Sequence, residues 1–201
     1  CILSKLRHYL TQETLKFIYN ALINSHLHYG LLCWGYNSND IYKLQKRAIR
    51  TISHCKLNSH TEPLYKSLCI LKLPDILSRK IYKFYHRLCH NHIPNYFTNS
   101  FHIIKQKEQH FHNTRNELYI IPNTKHKFAE FNIRYQLLIE INKNISNILN
   151  KVYTHSEFGF SVYVKNHFLN QYNETCNITN CLFVQIHKHI THTGFVIRPV
   201  I

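Results

Sequence analysis

The chain has 201 residues, is 44% hydrophobic and carries a formal net charge of +15. That is enough apolar residue to bury a core and too much for a wholly disordered chain, while the charge points to a polyanionic partner. No apolar run reaches the ~18–20 residues that span a bilayer, and the N-terminus lacks a signal-peptide pattern, so an intracellular protein (nucleus or cytoplasm), not secreted and not in a membrane, is expected.

The stretch LRHYLTQETLKFIYNALINSHLHYGLLCWG reads as one helix with a short preface. Thr11 is the expected N-cap and Glu13 falls in the first turn. Leu15, Ile18, Tyr19, Leu22 and Ile23, then Leu27, Leu31 and Trp34, recur at helical spacing, so Trp34 and Tyr29 are read as core. Gly35 and the run Asn37 to Asn39 end the segment.

Asp40 then opens IYKLQKRAIRTI, which has four cations and no acid. At 100° per residue, Ile41, Leu44, Ala48 and Ile52 fall on one side and Lys43, Lys46, Arg47 and Arg50 on the other. A solvated helix face normally mixes signs, because like charges repel, so a one-sign face suits an anionic ligand. After a polar break, TEPLYKSLCIL reads as a short helix capped by Thr61. LPDILSRKIYKFYHRLCHNHIP reads as a second amphipathic helix. Its apolar face is Leu77, Ile81, Phe84, Tyr85 and Leu88, with Arg79, Lys80, Lys83, His86 and Arg87 opposite. The stop falls near His90 to Pro94.

From Phe101 to Thr124 the period weakens, and NELYIIPN suggests a short strand and turn. FAEFNIRYQLLIEINKNISNIL and SEFGFSVYVKNHFLNQY return to helical spacing, the latter capped by Ser156. The expected fold is mainly α, an amphipathic helical bundle with a less regular C-terminal part and at most one short strand pair. Its regions are a helical part over 1–100, a linker or strand segment over 101–124 and a helical extension with an irregular tail over 125–201.

The two aspartates, Asp40 and Asp75, are far apart, and no paired-carboxylate, GxSxG, HExxH or P-loop pattern occurs. No catalytic residue is therefore assigned. Seven scattered cysteines suit reduced thiols. The main reading has no metal site; the candidates for a zinc centre are Cys176, Cys181, His187, His189 and His192. Four residues separate the two cysteines, the loose limit for a close zinc pair, and the plainer reading is a histidine-rich basic tail.

LSKLRHYLTQETLKFIYNALINSHLHYGLLCWG, LQKRAIRTI and HTEPLYKSLCILKLPD together resemble the region C-terminal to the polymerase core in reverse transcriptases of non-LTR retrotransposons of the LINE and Jockey-like kind. The residues carrying the resemblance are Leu6 to Leu10, His26 to Tyr29, Trp34-Gly35, Leu44 to Arg50 and His60 to Leu64, and it runs over residues 2 to about 98. HNTRNELYIIP, with Arg115, and FNIRYQ resemble later family segments; Gln136 to Ile139 lacks the glycine and tryptophan found there. The resemblance implies a thumb-like region that holds an RNA–DNA hybrid or RNA beside an upstream palm of the same polypeptide. The catalytic aspartates and their Mg would belong to that palm. Lys43, Lys46, Arg47 and Arg50 would meet phosphates, with Arg79, Lys80, Lys83 and Arg87 as a second face. The absence of Met and the initial Cys fit a piece of a longer polypeptide. The alternatives are a decayed retroelement fragment without present function and a small zinc-binding nucleic-acid module.

Overall fold

The computed structural model describes residues 2–95, 119, 121–123, 125–126, 130–143 and 148–173. The structure is mainly helical, as the periodicity predicts, and the described residues contain no strand. Tyr119 forms only an isolated bridge; its N–H donates to Asn142 Oδ1 at 2.9 Å and its carbonyl accepts from Asn142 Nδ2 at 3.0 Å. Most of the other residues of the expected strand segment lie outside the described residues. No described helix is long and apolar enough to cross a membrane. Contacts divide the chain into two compact units, each assembled from segments distant in sequence.

Of the described residues, the first unit takes those up to Leu27, then Asn39–Lys72, and Leu169 to Asn173. It begins with α1 (Ile2–Leu6) and α2 (Gln12–Ile18). Thr11 caps α2 as expected, its hydroxyl accepting from the Thr14 N–H at 3.4 Å. The single long helix expected next is instead interrupted. Tyr19–Asn24 is a π-helical segment, followed by α3 (Ser25–His28). The spacing of the apolar residues explains the interruption. Leu15, Tyr19, Ile23 and Leu27 recur every fourth residue, and on an α-helix each such step rotates the stripe by ~40°. Widening one stretch to i→i+5 bonding counters that drift and keeps Leu15, Tyr19 and Leu27 buried. Leu22, read as part of the apolar stripe, is 52% exposed as a result.

In the same unit α5 (Asn39–Ile52) and α6 (Glu62–Ser67) complete the packing; α1 and α2 lie against α5, and so does α6. Thr61 holds the N-cap position of α6, but its backbone is already helical and its side chain makes no capping bond; Pro63 in the first turn fixes the start instead. Ile49, Ile52, Leu64, Tyr65 and Leu71 fill the core, and Tyr172 joins it from the C-terminal side, its ring 6.5 Å from that of Tyr65.

The second unit contains His28–Ser38 and Leu73–Phe168. It holds α4 (Leu31–Trp34), a 3₁₀ turn (Gly35–Asn37), α7 (Leu73–Cys89), α8 (Ile133–Lys143), a second 3₁₀ turn (Leu149–Lys151) and α9 (Glu157–Asn170). Gly30 enters α4 in the left-handed region, φ 57°, a conformation that costs other residues ~1–2 kcal/mol. This turn lets the Trp34 indole donate to the Tyr29 carbonyl at 2.7 Å and leaves the Tyr29 ring 83% exposed, against its expected place in the core. Gly35 is needed for space: a Cβ there would stand 3.0 Å from both Leu31 and Leu77. Ser156 caps α9 as expected, accepting from the Gly159 N–H at 3.2 Å. On α7 the buried face is Leu73, Ile76, Ile81, Tyr82, Tyr85 and His86. His86, expected on the polar side, is 2% exposed; its ring stacks on Phe160 at 5.2 Å and its Nε2 bonds the His155 carbonyl at 2.9 Å. Among the described residues, Cys33, Cys55, Cys69 and Cys89 form no disulfide.

Candidate nucleic-acid interface

The basic face is built on α5, and what positions it is the helix's other side. Asp40 in the first turn suits the positive end of the helix dipole and Arg50 in the last turn the negative end. The buried residues are Gln45, Ala48, Ile49, Thr51 and Ile52. Leu44, expected to seat the helix, is 64% exposed, and Gln45 takes that role at 1% exposure. Its Nε2 donates to the Tyr19 hydroxyl at 3.1 Å and to the Leu71 carbonyl at 3.0 Å, and its Oε1 accepts from the Tyr65 hydroxyl at 3.1 Å. Burial pushes both phenols above their ordinary pKa, so each stays protonated; the Gln45 bond opposes this at Tyr19 and Arg50 opposes it at Tyr65. The amide thus ties α5 to the π-helical segment and to α6 at once, and fixes its rotation.

With that rotation set, Lys43 and Arg47 are exposed and Lys46 and Arg50 half-buried. The Lys43 Nζ stands 2.8 Å from Asp40 Oδ1, with the two side chains 76% and 91% exposed. So exposed a pair is screened by solvent and holds the ammonium only weakly. Lys46 sits 4.2 Å above the Tyr42 ring, which stiffens it without neutralising it. Arg50 donates from Nε to the Ser59 carbonyl at 2.7 Å, so it also anchors the loop after α5.

The four cations expected on α7 are placed differently. The Arg79 guanidinium donates to the Ser161 carbonyl at 3.0 Å and to its hydroxyl at 2.8 Å, holding α9 on α7. Arg87 and Lys83 gather on Glu157, at 2.7 and 3.1 Å, and together hold its carboxyl down at about 2. Lys80 is half-buried; desolvation first, then the neighbouring charges of Lys83 and Arg79, lower its pKa. His28 falls to about 4 for the same reasons, burial first and then Lys80 and Arg79. Arg79, Lys83 and Arg87 thus have structural work inside the second unit, whereas Lys43, Lys46 and Arg47 have little of it.

Cys176, Cys181, His187, His189, His192 and Arg115 lie outside the described residues. Among the described residues, no group of three or more His, Cys, Asp or Glu side chains comes together as a metal site. The sequence reading missed Gln45, although its position centres it between Ile41, Ala48 and Ile49 on a helical wheel; a polar side chain in that slot was the available signal. Set against protein-family models, curated proteins and solved structures, the chain matches none.

Proposed function

We propose that this chain is the thumb and post-thumb region of a non-LTR-type RNA-directed DNA polymerase, a non-catalytic part that grips the template–primer duplex by its phosphates. The observation that carries the reading is α5: one rotation of the helix buries Gln45, Ala48, Ile49 and Ile52 and leaves Lys43, Lys46 and Arg47 along a side that faces no core. The resemblance of LQKRAIR and its flanking segments to that family supplies the ligand class. Catalytic aspartates and Mg would come from an upstream palm. Lysine and arginine on phosphates fix a duplex in register without reading its bases, so binding is indifferent to sequence.

The test is the salt dependence of binding to a fluorescein-labelled RNA–DNA hybrid. Each phosphate neutralised contributes about 0.9 to the slope of log K against log salt on a duplex, so Lys43→Ala, Lys46→Ala and Arg47→Ala together are expected to flatten it by roughly 2–3. Two hybrids of unrelated sequence are expected to bind equally. An unchanged slope in the triple variant, with its helicity intact, removes α5 as the contact. Arg50→Ala is kept out of the triple variant because it also releases Ser59.

A further inference from the structure

Beside the basic face, α5 borders a groove of about 330 Å³ in the first unit, toward the small end of ligand-binding clefts. Ile41, Leu44 and Ala48 form one wall, and Ile23 and Leu27 form the other. Arg47 is also among the residues that line it. Two features set the groove apart from ordinary surface. Leu44 is 64% exposed in the middle of a helix whose other side is well packed. The Arg47 guanidinium is exposed, and no carboxylate among the described residues pairs with it.

We infer that this groove docks an acidic amphipathic helix, its aliphatic side chains filling the space along Leu44 and Ile23 and a carboxylate meeting Arg47. The lining decides the class of occupant. It is aliphatic, with no aromatic ring on which a base could stack. Its polar groups are few: the Gln45 amide is tied to Tyr19, Tyr65 and Leu71, and the Thr51 hydroxyl donates to the Arg47 carbonyl at 2.9 Å, which leaves the Ser4 hydroxyl and the Arg47 guanidinium to meet an occupant. A nucleobase entering it would lose water at its edges and gain few hydrogen bonds, whereas hydrocarbon side chains lose nothing by entry. Charge complementarity selects an acidic partner: Arg47 offers a planar fork suited to a carboxylate, and the helix carrying it also bears Lys43 and Lys46. A helix laid into a groove between helices, anchored at i and i+4, is a recurrent recognition mode. Because Arg47 belongs to both surfaces, a docked acidic helix and a nucleic-acid duplex compete for it.

The probe is a fluorescein-labelled peptide of about 18 residues, long enough to hold a helix, with leucines along one face and glutamates flanking them. A peptide of the same composition in scrambled order is the control. Anisotropy is expected to show saturable binding of the ordered peptide alone. Leu44→Gln, at an exposed site that leaves the fold intact, is expected to weaken it about tenfold or more, the consequence of losing one buried leucine contact. Arg47→Gln is expected to weaken it more than Lys43→Gln, while Leu44→Gln leaves blunt-hybrid binding unchanged. Absence of saturable binding, equal binding of the scrambled peptide, indifference to Leu44→Gln, or equal effects of the two cation variants would each overturn the docking site. So would a Leu44→Gln loss seen only with a single-stranded hybrid overhang, which would make the occupant an unpaired base. None of these outcomes touches the salt slope of the triple variant, so failure here and failure of the phosphate grip are told apart.

Discussion

Gln45 stands where helical periodicity asks for a hydrocarbon, and its cost and benefit can both be stated. A buried amide without partners loses several kcal/mol of hydration; with Tyr19, Tyr65 and the Leu71 carbonyl engaged it becomes a three-way tie. Gln45→Ala would leave two phenols and a carbonyl short of partners and open a cavity. It is expected to destabilise the chain by about 3 kcal/mol or more in urea unfolding, against a few tenths for Leu44→Ala a residue away. Near-equal losses would mean that the tie contributes nothing. His28 gives a residue-scale effect in the second unit. Its folded pKa of about 4 lies below the ordinary 6.5, so between those values the unfolded chain binds more protons and stability rises with pH. The contribution is whole above pH 6.5 and fades toward pH 4. Glu157 is also depressed, to about 2 from 4.5, but its contribution is lost only on the further fall through that lower window. Thermal melts from pH 7 to 4 are expected to show a falling midpoint in the parent and a flatter one in His28→Gln. Parallel curves would assign the slope to other groups.

At the scale of elements, the ends of the helices show what a chain with four glycines must do. α5, α6 and α7 all close with the same pair of bonds. His54 donates to the Thr51 carbonyl and Cys55 to that of Arg50; Cys69 and Ile70 donate likewise to Lys66 and Tyr65, and Asn91 and His92 to Leu88 and Arg87. This is the Schellman closure, which puts the residue past the cap in the left-handed region, and here His54, Cys69 and Asn91 hold it at φ 53°, 53° and 55°. Glycine normally takes that position because a Cβ is strained there. Cys69→Gly is therefore expected to stabilise the chain by roughly 0.5–1 kcal/mol after the added freedom of the unfolded chain is subtracted; a lower midpoint in denaturant would contradict it. The same helices mark what the sequence makes legible. The amphipathic period found α5 and α7, and polar runs marked their stops; α9 was marked by its Ser156 cap. The period failed at Leu44 and Gln45, because a wheel assigns faces by polarity whereas the helix rotated to satisfy an amide, and at His86, whose ring packs like an aromatic while its nitrogen bonds a carbonyl. The π-helical segment was foreshadowed only by an apolar repeat of four, which a tolerance for either three or four absorbs. The candidate interface was legible as charge; that α7 places its cations on Ser161 and Glu157 depends on partners 70 or more residues away and has no local signature.

For the molecule as a whole, 25 basic residues against 10 acidic ones set two opposed responses to salt. In the free chain most charge–charge terms are repulsive. Its ion pairs are few among the described residues, and those on α5 and at Glu157 have partly or largely exposed partners, so screening removes more repulsion than attraction. Raising NaCl from roughly 0.02 to 0.2 M shortens the reach of these charges severalfold and is expected to raise the melting midpoint of the free chain. If the chain grips an RNA–DNA hybrid as proposed, phosphates relieve that repulsion, and the same salt weakens the contact by mass action. The stabilisation due to the hybrid is then expected to shrink steeply over the same interval. The two curves converge at high salt if the basic surface is what the duplex covers. A free-chain midpoint that falls with salt would mean that the Glu157 and Asp40 pairs outweigh the net charge. A hybrid-bound midpoint indifferent to salt would mean that the duplex is held by something other than these cations.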